Sequence, residues 1–231
     1  MDLDVIIETF PDYMKGLVLT IELLGGALLL GLILASVVAV MRVSASKILN
    51  VTAWSFTYTF RGTPLLVQMY LIYYGMGQFL WVRESYLWFF FEKPYFCALL
   101  ALTLNNAAYT AEIFYNALIR LPREELEACY AFGMKRRTVV MRFIVPTVMR
   151  LSVQAYSNEV IFMLHATAMV SLITLLDITG VARVVYARFY TPFEAFIVAG
   201  ILYLSLTLVI TFVFRKLEQR MLRHLQTRGL S

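Results

Sequence analysis

Four ionisable side chains interrupt long apolar stretches of this sequence. They are Arg61, Glu112, Glu159 and His165. A charge placed in lipid costs about 3 kcal/mol even on a lenient scale, so each side chain should face a cavity or a charged partner. An anion and a cation in one cavity could bind the two poles of a small charged molecule. The sequence therefore predicts either a polar binding site inside a membrane or an internal ion pair, Arg61–Glu112 or Arg61–Glu159, that only holds the spans together.

A second chemical feature is a break in one of the apolar stretches, at Phe60-Arg61-Gly62-Thr63-Pro64. Glycine and proline interrupt the helical hydrogen bonding there. Irregular backbone at membrane depth is tolerated where it is buried in protein or lines a cavity. Such breaks in transporters often mark a substrate site. The alternative is a proline kink that serves only helix packing.

A third feature is the spacing of polar side chains in the next apolar stretch. Asn105, Tyr109 and Glu112 follow one another at intervals of four and three residues. Residues at these intervals share one face of a helix. The spacing predicts that the three side chains point into the same space.

The elements that must position these residues are membrane helices. The 231 residues are 61% apolar and 15% charged, and the mean hydropathy is +0.74. This composition predicts an all-α membrane protein forming a single domain over 1–231. Five spans are expected, at about 17–40, 54–80, 94–119, 147–176 and 193–214.

The segments outside these spans have their own predicted roles. Residues 2–13 are predicted to form a short amphipathic helix on the membrane surface that ends near Pro11, or an ordinary capping segment. A polar loop covers 120–146, and a shorter loop with two arginines covers 177–192.

Charge predicts how the chain lies in the membrane. The net charge is +5, and most lysines and arginines follow the first and third spans or lie in the C-terminal tail. Positive loops stay in the cytoplasm, so five spans place the N-terminus outside and the C-terminus inside. The same distribution argues against nucleic-acid binding.

The loop at 120–146 carries the most specific motif in the chain. It reads Glu127-Ala128-Cys129-Tyr130-Ala131-Phe132-Gly133, then nine residues to Phe143, then Ile144-Val145-Pro146. This spacing resembles the EAA loop of binding-protein-dependent ABC importers, with Glu127, Ala128, Gly133 and Pro146 in register. The resemblance implies a short helix that docks on an ATPase subunit and a type I ABC importer permease fold. Acidic residues near a helix start and a glycine turn agree with that role.

Further stretches resemble the histidine/arginine subfamily of polar amino-acid permeases, over about 17–223. They are the break at 60–68, Asn105-Asn106-Ala107-Ala108-Tyr109-Thr110-Ala111-Glu112, Tyr156-Ser157-Asn158-Glu159-Val160, and the segment at 164–168, where His165 stands in place of a common lysine. The resemblance implies import of a basic amino acid such as arginine, histidine, lysine or ornithine, with opines as the alternative. Glu159 is then the candidate partner for the substrate's cation, and Arg61, His165 or the backbone at Gly62 and Thr63 for its carboxylate. The full set of candidate substrate-binding residues is Arg61, Gly62, Thr63, Gln68, Asn105, Tyr109, Glu112, Glu159 and His165.

The resemblance also implies an assembly in the bacterial inner membrane. Its expected members are a homologous second permease subunit, two cytoplasmic ATPases and a periplasmic amino-acid-binding protein, all within membrane lipid. No phosphate-binding loop occurs in the sequence, so ATP and Mg²⁺ are expected on the partner ATPase and no cofactor on this chain. The cysteines and histidines show no metal-ligand spacing. A membrane-embedded enzyme and a channel are the less favoured classes.

Overall fold

The computed structural model describes residues 3–226, and this part of the chain is helical, with no strand. The α-helices are α1 Leu3–Arg42, α2 Lys47–Gly62, α3 Leu65–Tyr70, α4 Leu80–Arg83, α5 Trp88–Phe91, α6 Pro94–Ile119, α7 Arg123–Ala131, α8 Arg136–Val139, α9 Val145–Thr167, α10 Ile178–Phe189 and α11 Pro192–Gln226. Two π-helical segments lie at Leu71–Gly75 and Val140–Ile144. Two 3₁₀ segments lie at Met76–Gln78 and Ala168–Ile173.

The centre of the fold is α6, which has the bounds predicted for the third span. It packs along α1 and against α2 and α9. Alanines are frequent on its buried surface, and small side chains let membrane helices approach closely. Larger side chains from α1 and α9, including Leu23 and Met163, fill the core around Leu102.

The first helix differs from its prediction. A separate surface helix ending near Pro11 is wrong, because α1 continues through Pro11 to Arg42. Proline costs a helix one hydrogen bond and some steric strain. Packing offsets that cost, since Val5 and Tyr13 are buried against α10 and α11. The Tyr13 hydroxyl also donates a hydrogen bond of 2.8 Å to the Ala195 carbonyl.

The predicted loop at 177–192 is also wrong over most of its length, because it contains α10. Asp177 caps this helix by accepting hydrogen bonds from the backbone N–H groups of Thr179 and Gly180. One face of α10 is buried, including Val181 and Val185. The cap satisfies free N–H groups, and the buried face supplies the packing that a two-arginine loop pattern does not reveal.

The number of membrane spans remains a prediction. Within residues 3–226, two helices are long and apolar enough to cross a membrane, at 4–42 and 192–221. A third crossing is possible if the helices at 136–173 and 178–189, bent by 47°, form one broken span. The last helix also runs beyond the predicted end at 214, as far as Gln226.

Candidate functional site

A cavity of about 630 Å³ opens where the end of α2 and the start of α3 meet α6 and α9. Six of the predicted site residues line it. They are Arg61, Gly62, Thr63, Asn105, Tyr109 and Glu159. The other lining residues are mostly apolar and include Phe162, Met163 and Ala166 from α9. The cavity thus combines a largely apolar wall with a few polar groups, as small-molecule sites usually do.

One wall of the cavity is the predicted helix break. Helix α2 ends at Gly62, and Thr63 and Pro64 have extended backbone before α3 begins at Leu65. The break is therefore confirmed. It exposes the ends of two helices to the cavity, where backbone groups can meet a polar ligand.

Gln68 stabilises the break from behind rather than lining the cavity. Its side-chain amide donates to the carbonyls of Phe60, at 2.8 Å, and Thr63, at 3.0 Å. Asn105 donates to the same Phe60 carbonyl and to Gln68 Oε1, each at 3.3 Å. These bonds satisfy carbonyls that the interrupted helix leaves free, and they tie the break to α6.

Arg61 lies at the cavity with its side chain 41% exposed. Its guanidinium stands 5.3 Å from the centre of the Tyr109 ring. The Tyr109 hydroxyl donates to the Arg61 carbonyl at 3.4 Å. One guanidinium nitrogen, Nη1, is 3.8 Å from Glu112 Oε2. Arg61 therefore pairs with Glu112, which is one of the two internal ion pairs that the sequence left open.

Glu112 lies between two arginines and is not among the residues that line the cavity. Its Oε1 is 3.5 Å from Nη2 of Arg42, whose side chain is only 10% exposed. The Arg42 guanidinium also stands 4.3 Å from the centre of the Tyr115 ring. Sequence reasoning assigned Arg42 to a cytoplasmic loop and missed this role. One feature of the sequence could have indicated it. Tyr115 follows Glu112 by about one helical turn, and an aromatic ring beside a carboxylate is a suitable surface for a cation.

Glu159 is the buried acid of the cavity. It is 8% exposed, lies beside Asn106 and is within electrostatic reach of Arg61. Among the residues described, no cation is close enough to form an ion pair with it within 4 Å. A buried carboxylate without a close counter-ion is a favourable site for a cationic ligand.

His165 is not brought to the cavity. Its side chain is exposed, and Nε2 lies 3.5 Å from Thr207 Oγ1 on α11. Four lining residues of α9, Glu159, Phe162, Met163 and Ala166, recur at intervals of three and four, and His165 falls outside that face.

The motif at 120–146 forms a helix and a turn at the other end of α6. Helix α7 has Glu124 and Glu125 in its first turn, as predicted. Gly133 has φ +73°, which confirms the expected left-handed turn. Its N–H donates to the Tyr130 carbonyl at 2.9 Å.

The outer face of α7 is exposed. Glu127 and Ala128 are exposed, and Phe132 is 87% exposed just after the helix. On the inner side, Leu126 packs against Ala117 and Val148 from α6 and α9. The helix that follows the turn reaches Pro146 through the π-helical segment, so α8 and α9 are continuous. The segment after the turn is thus joined directly to α9, which lines the cavity.

Comparison with known proteins identifies the relatives of this arrangement. Residues 27–223 match the family of binding-protein-dependent transport system inner membrane components. The chain is 39% identical over 229 residues to the nopaline transport system permease protein NocM of Agrobacterium fabrum, covering 99% of this chain and 95% of that protein. It is 42% identical over 211 residues to the octopine permease OccM of Rhizobium radiobacter, covering 91% and 86%. It is 41% identical over 214 residues to the histidine/lysine/arginine/ornithine permease HisM of Salmonella typhimurium, covering 92% and 91%.

Solved structures share the fold. An amino acid ABC transporter with histidines superposes with a TM-score of 0.83 at 29% identity, covering 95% of this chain and 99% of that chain. The methionine transporter MetNI, in an inward-facing conformation, superposes with a TM-score of 0.69 at 17% identity, covering 96% and 99%. At that identity the likeness concerns the fold alone.

Proposed function

The chain belongs to the family of binding-protein-dependent transport system inner membrane components, and on that premise we propose that its cavity passes a cationic amino acid. The chain is the permease subunit of an ATP-driven amino-acid importer and is not itself an enzyme. Its family works with an ATPase and a substrate-binding protein. The proposal adds the class of substrate and the residues that meet it.

The observation that carries the proposal is the presence of two opposite charges, which do not form an ion pair with each other, in one cavity. Glu159 offers a buried carboxylate without a close ion pair, and Arg61 offers a partly exposed guanidinium. A cationic amino acid has a cation at the end of its side chain and a carboxylate at its backbone. Charge-assisted hydrogen bonds to both ends would orient it, with Glu159 on the side-chain cation and Arg61 or the backbone at Gly62 and Thr63 on the carboxylate. The apolar side chains of Phe162 and Met163 would cover its methylenes.

An opine is the second candidate. Two of the relatives above are permeases for nopaline and octopine, and they are as similar to this chain as the HisM protein is. Opines carry a carboxylate beyond that of the parent amino acid, and the exposed Arg61 guanidinium could meet it.

Binding to the purified complex distinguishes these substrates. We expect arginine to bind the complex without its binding protein, and citrulline, the neutral counterpart of arginine, to bind at least about tenfold more weakly. Isothermal titration of arginine, citrulline and octopine in turn would measure this. Equal affinity for arginine and citrulline would contradict a cation-binding cavity, and tighter binding of octopine than of arginine would favour the opine.

The assembly and its coupling surface belong to the same proposal. We infer a second, homologous permease subunit beside this one, two cytoplasmic ATPases, and a periplasmic amino-acid-binding protein. The face formed by Glu127 and Ala128 would dock in the ATPase, and Gly133 and Pro146 would set the direction of the chain behind it. Support comes from the exposure of α7 and from its packing, through Leu126, on the helices of the cavity. ATP with Mg²⁺ would be bound by the ATPase alone.

The orientation in the inner membrane can be tested directly. We expect a periplasmic N-terminus and a cytoplasmic C-terminus, because the basic residues cluster around α7, α8 and the end of α11. A periplasm-active reporter fused to the C-terminus should stay silent, and the same reporter inserted in the loop before Pro94 should be active as the matched control. Activity of the C-terminal fusion would contradict a cytoplasmic C-terminus.

A further inference from the structure

We propose that the Arg42–Glu112 pair is a positioning device that keeps the Arg61 guanidinium away from Glu159. The pair would thereby leave the Glu159 carboxylate free for the cation of the substrate. This inference rests on the proposed function, because it assumes that Glu159 meets the substrate.

The first step concerns the number of charges. Two cations, Arg42 and Arg61, and two anions, Glu112 and Glu159, lie close to one another in the described part of the chain. If each anion contacted one of the two cations, the four charges would form two separate ion pairs and no unpaired charge would remain in the cavity. Instead Glu112 contacts both arginines, at 3.5 and 3.8 Å, and Glu159 has no ion pair within 4 Å. The cavity therefore keeps an anion on one side and an incompletely neutralised cation on the other.

The second step concerns which arginine is fixed. Arg42 is 10% exposed, its guanidinium lies on the Tyr115 ring, and its carbonyl accepts a hydrogen bond from Asn50 Nδ2. Arg61 is 41% exposed and has the longer contact with Glu112. Arg42 thus anchors Glu112, and Glu112 in turn restrains the more exposed Arg61.

The third step concerns what Arg61 would do without this restraint. Arg61 and Glu159 line the same cavity, and Glu159 would be the remaining carboxylate there. Glu159 is itself buried, opposite charges attract more strongly where water is displaced, and arginine pairs readily with carboxylates. A guanidinium on Glu159 would occupy the position that the substrate's cation needs. If Arg61 held Glu159 about nine-tenths of the time, the apparent Kd for arginine would rise about tenfold.

The test is a double-mutant cycle on the assembled complex. Arginine binding would be titrated for the parent, Glu112→Gln, Arg61→Gln and the double variant. We expect Glu112→Gln to weaken binding about tenfold in the parent and to have no effect when Arg61 is already glutamine. An independent or merely structural role of Glu112 predicts the same loss in both backgrounds, and that result would overturn the inference.

Two further variants keep the test decisive. Glu22→Gln removes an exposed carboxylate from α1, away from the cavity, and should bind arginine like the parent. If Glu112→Gln does not assemble, Glu112→Asp retains the charge but withdraws it by one methylene. Glu112→Asp should weaken arginine binding when it is made in the parent and should have no effect when it is made in the Arg61→Gln variant. Equal losses in the two backgrounds would count against the inference.

The outcome also separates this inference from the proposed function. If the parent binds arginine and citrulline equally, the cation site itself is wrong and the inference falls with it. If the parent prefers arginine but the cycle shows independent effects, the substrate proposal stands and only the positioning role of Arg42 and Glu112 is wrong.

Discussion

Replacing Gly133 with valine should lower amino-acid uptake by a factor of about 5 to 30 while the subunit stays in the membrane. Gly133 has φ +73°, and a residue with a β-carbon pays about 1–2 kcal/mol to hold a left-handed conformation. No atom lies within 4 Å of the position that the new β-carbon would take. The cost is therefore conformational, and the chain can avoid it by opening the turn that fixes α7 relative to α8.

The conservative variant separates backbone conformation from side-chain size. Gly133→Asn should keep uptake near the parent level, because asparagine tolerates left-handed backbone. Gly200→Val is the matched control, since Gly200 is an exposed glycine within α11 that has no positive φ and no atom within 4 Å of where a β-carbon would stand. Binding-protein-dependent uptake would be measured beside the amount of complex that retains the ATPase.

Charge reversal tests the same surface independently of the turn. Glu127 is exposed on α7, so Glu127→Lys should hardly change folding but should place a cation on the proposed ATPase-docking face. Loss of uptake with the subunit still in the membrane is the expected result. Normal uptake and normal ATPase association in both Gly133→Val and Glu127→Lys would show that this loop does not couple ATP hydrolysis to transport.

Much of the fold around the cavity follows from local sequence. The bounds of α6 agree with the predicted third span, because Pro94 starts the helix and the apolar run ends before the charged loop. The break at Thr63 and Pro64 was predictable because proline and the residue before it resist helical geometry. The left-handed turn at Gly133 follows from the same kind of local rule.

The errors arise where distant packing decides. Pro11 would end a helix in isolation, but burial of Tyr13 against α11 keeps α1 continuous. The helix at 178–189 is stabilised by a buried face that forms only once α1 and α11 are in place. Both features depend on contacts between residues far apart in sequence, and a local pattern carries no information about them.

The same distinction applies to the site. Spacing correctly placed Asn105 and Tyr109 on a common face, and both line the cavity. It could not show that Glu112, one turn later, would turn to Arg42 from another helix. For His165 the spacing did hold information, since a residue six positions after Glu159 lies on a different side of an α-helix.

Replacing Glu159 with glutamine should weaken arginine transport roughly tenfold while leaving the complex assembled. Glutamine has nearly the same shape but offers a neutral contact, worth about 0.5–1.5 kcal/mol, in place of a charge-assisted bond worth about 1.5–3 kcal/mol, and a difference of about 1.4 kcal/mol is tenfold. A structural ion pair predicts a different result, because removing one partner leaves a buried charge unpaired and destabilises the protein. In this structure Arg61 retains Glu112 at 3.8 Å when Glu159 is neutralised, so assembly should survive.

Two quantities are measured on one preparation: binding-protein-dependent arginine uptake and the amount of assembled complex. Glu22→Gln is the matched control, because it removes an exposed carboxylate that lies away from the cavity. Full assembly with poor arginine uptake, and with citrulline binding close to that of the parent, would support Glu159 as the partner of the substrate's cation. Loss of the complex would instead assign Glu159 to holding the helices together. Unchanged arginine uptake at normal complex levels would remove Glu159 from the substrate site and leave Arg61 as the charged side chain that lines the cavity.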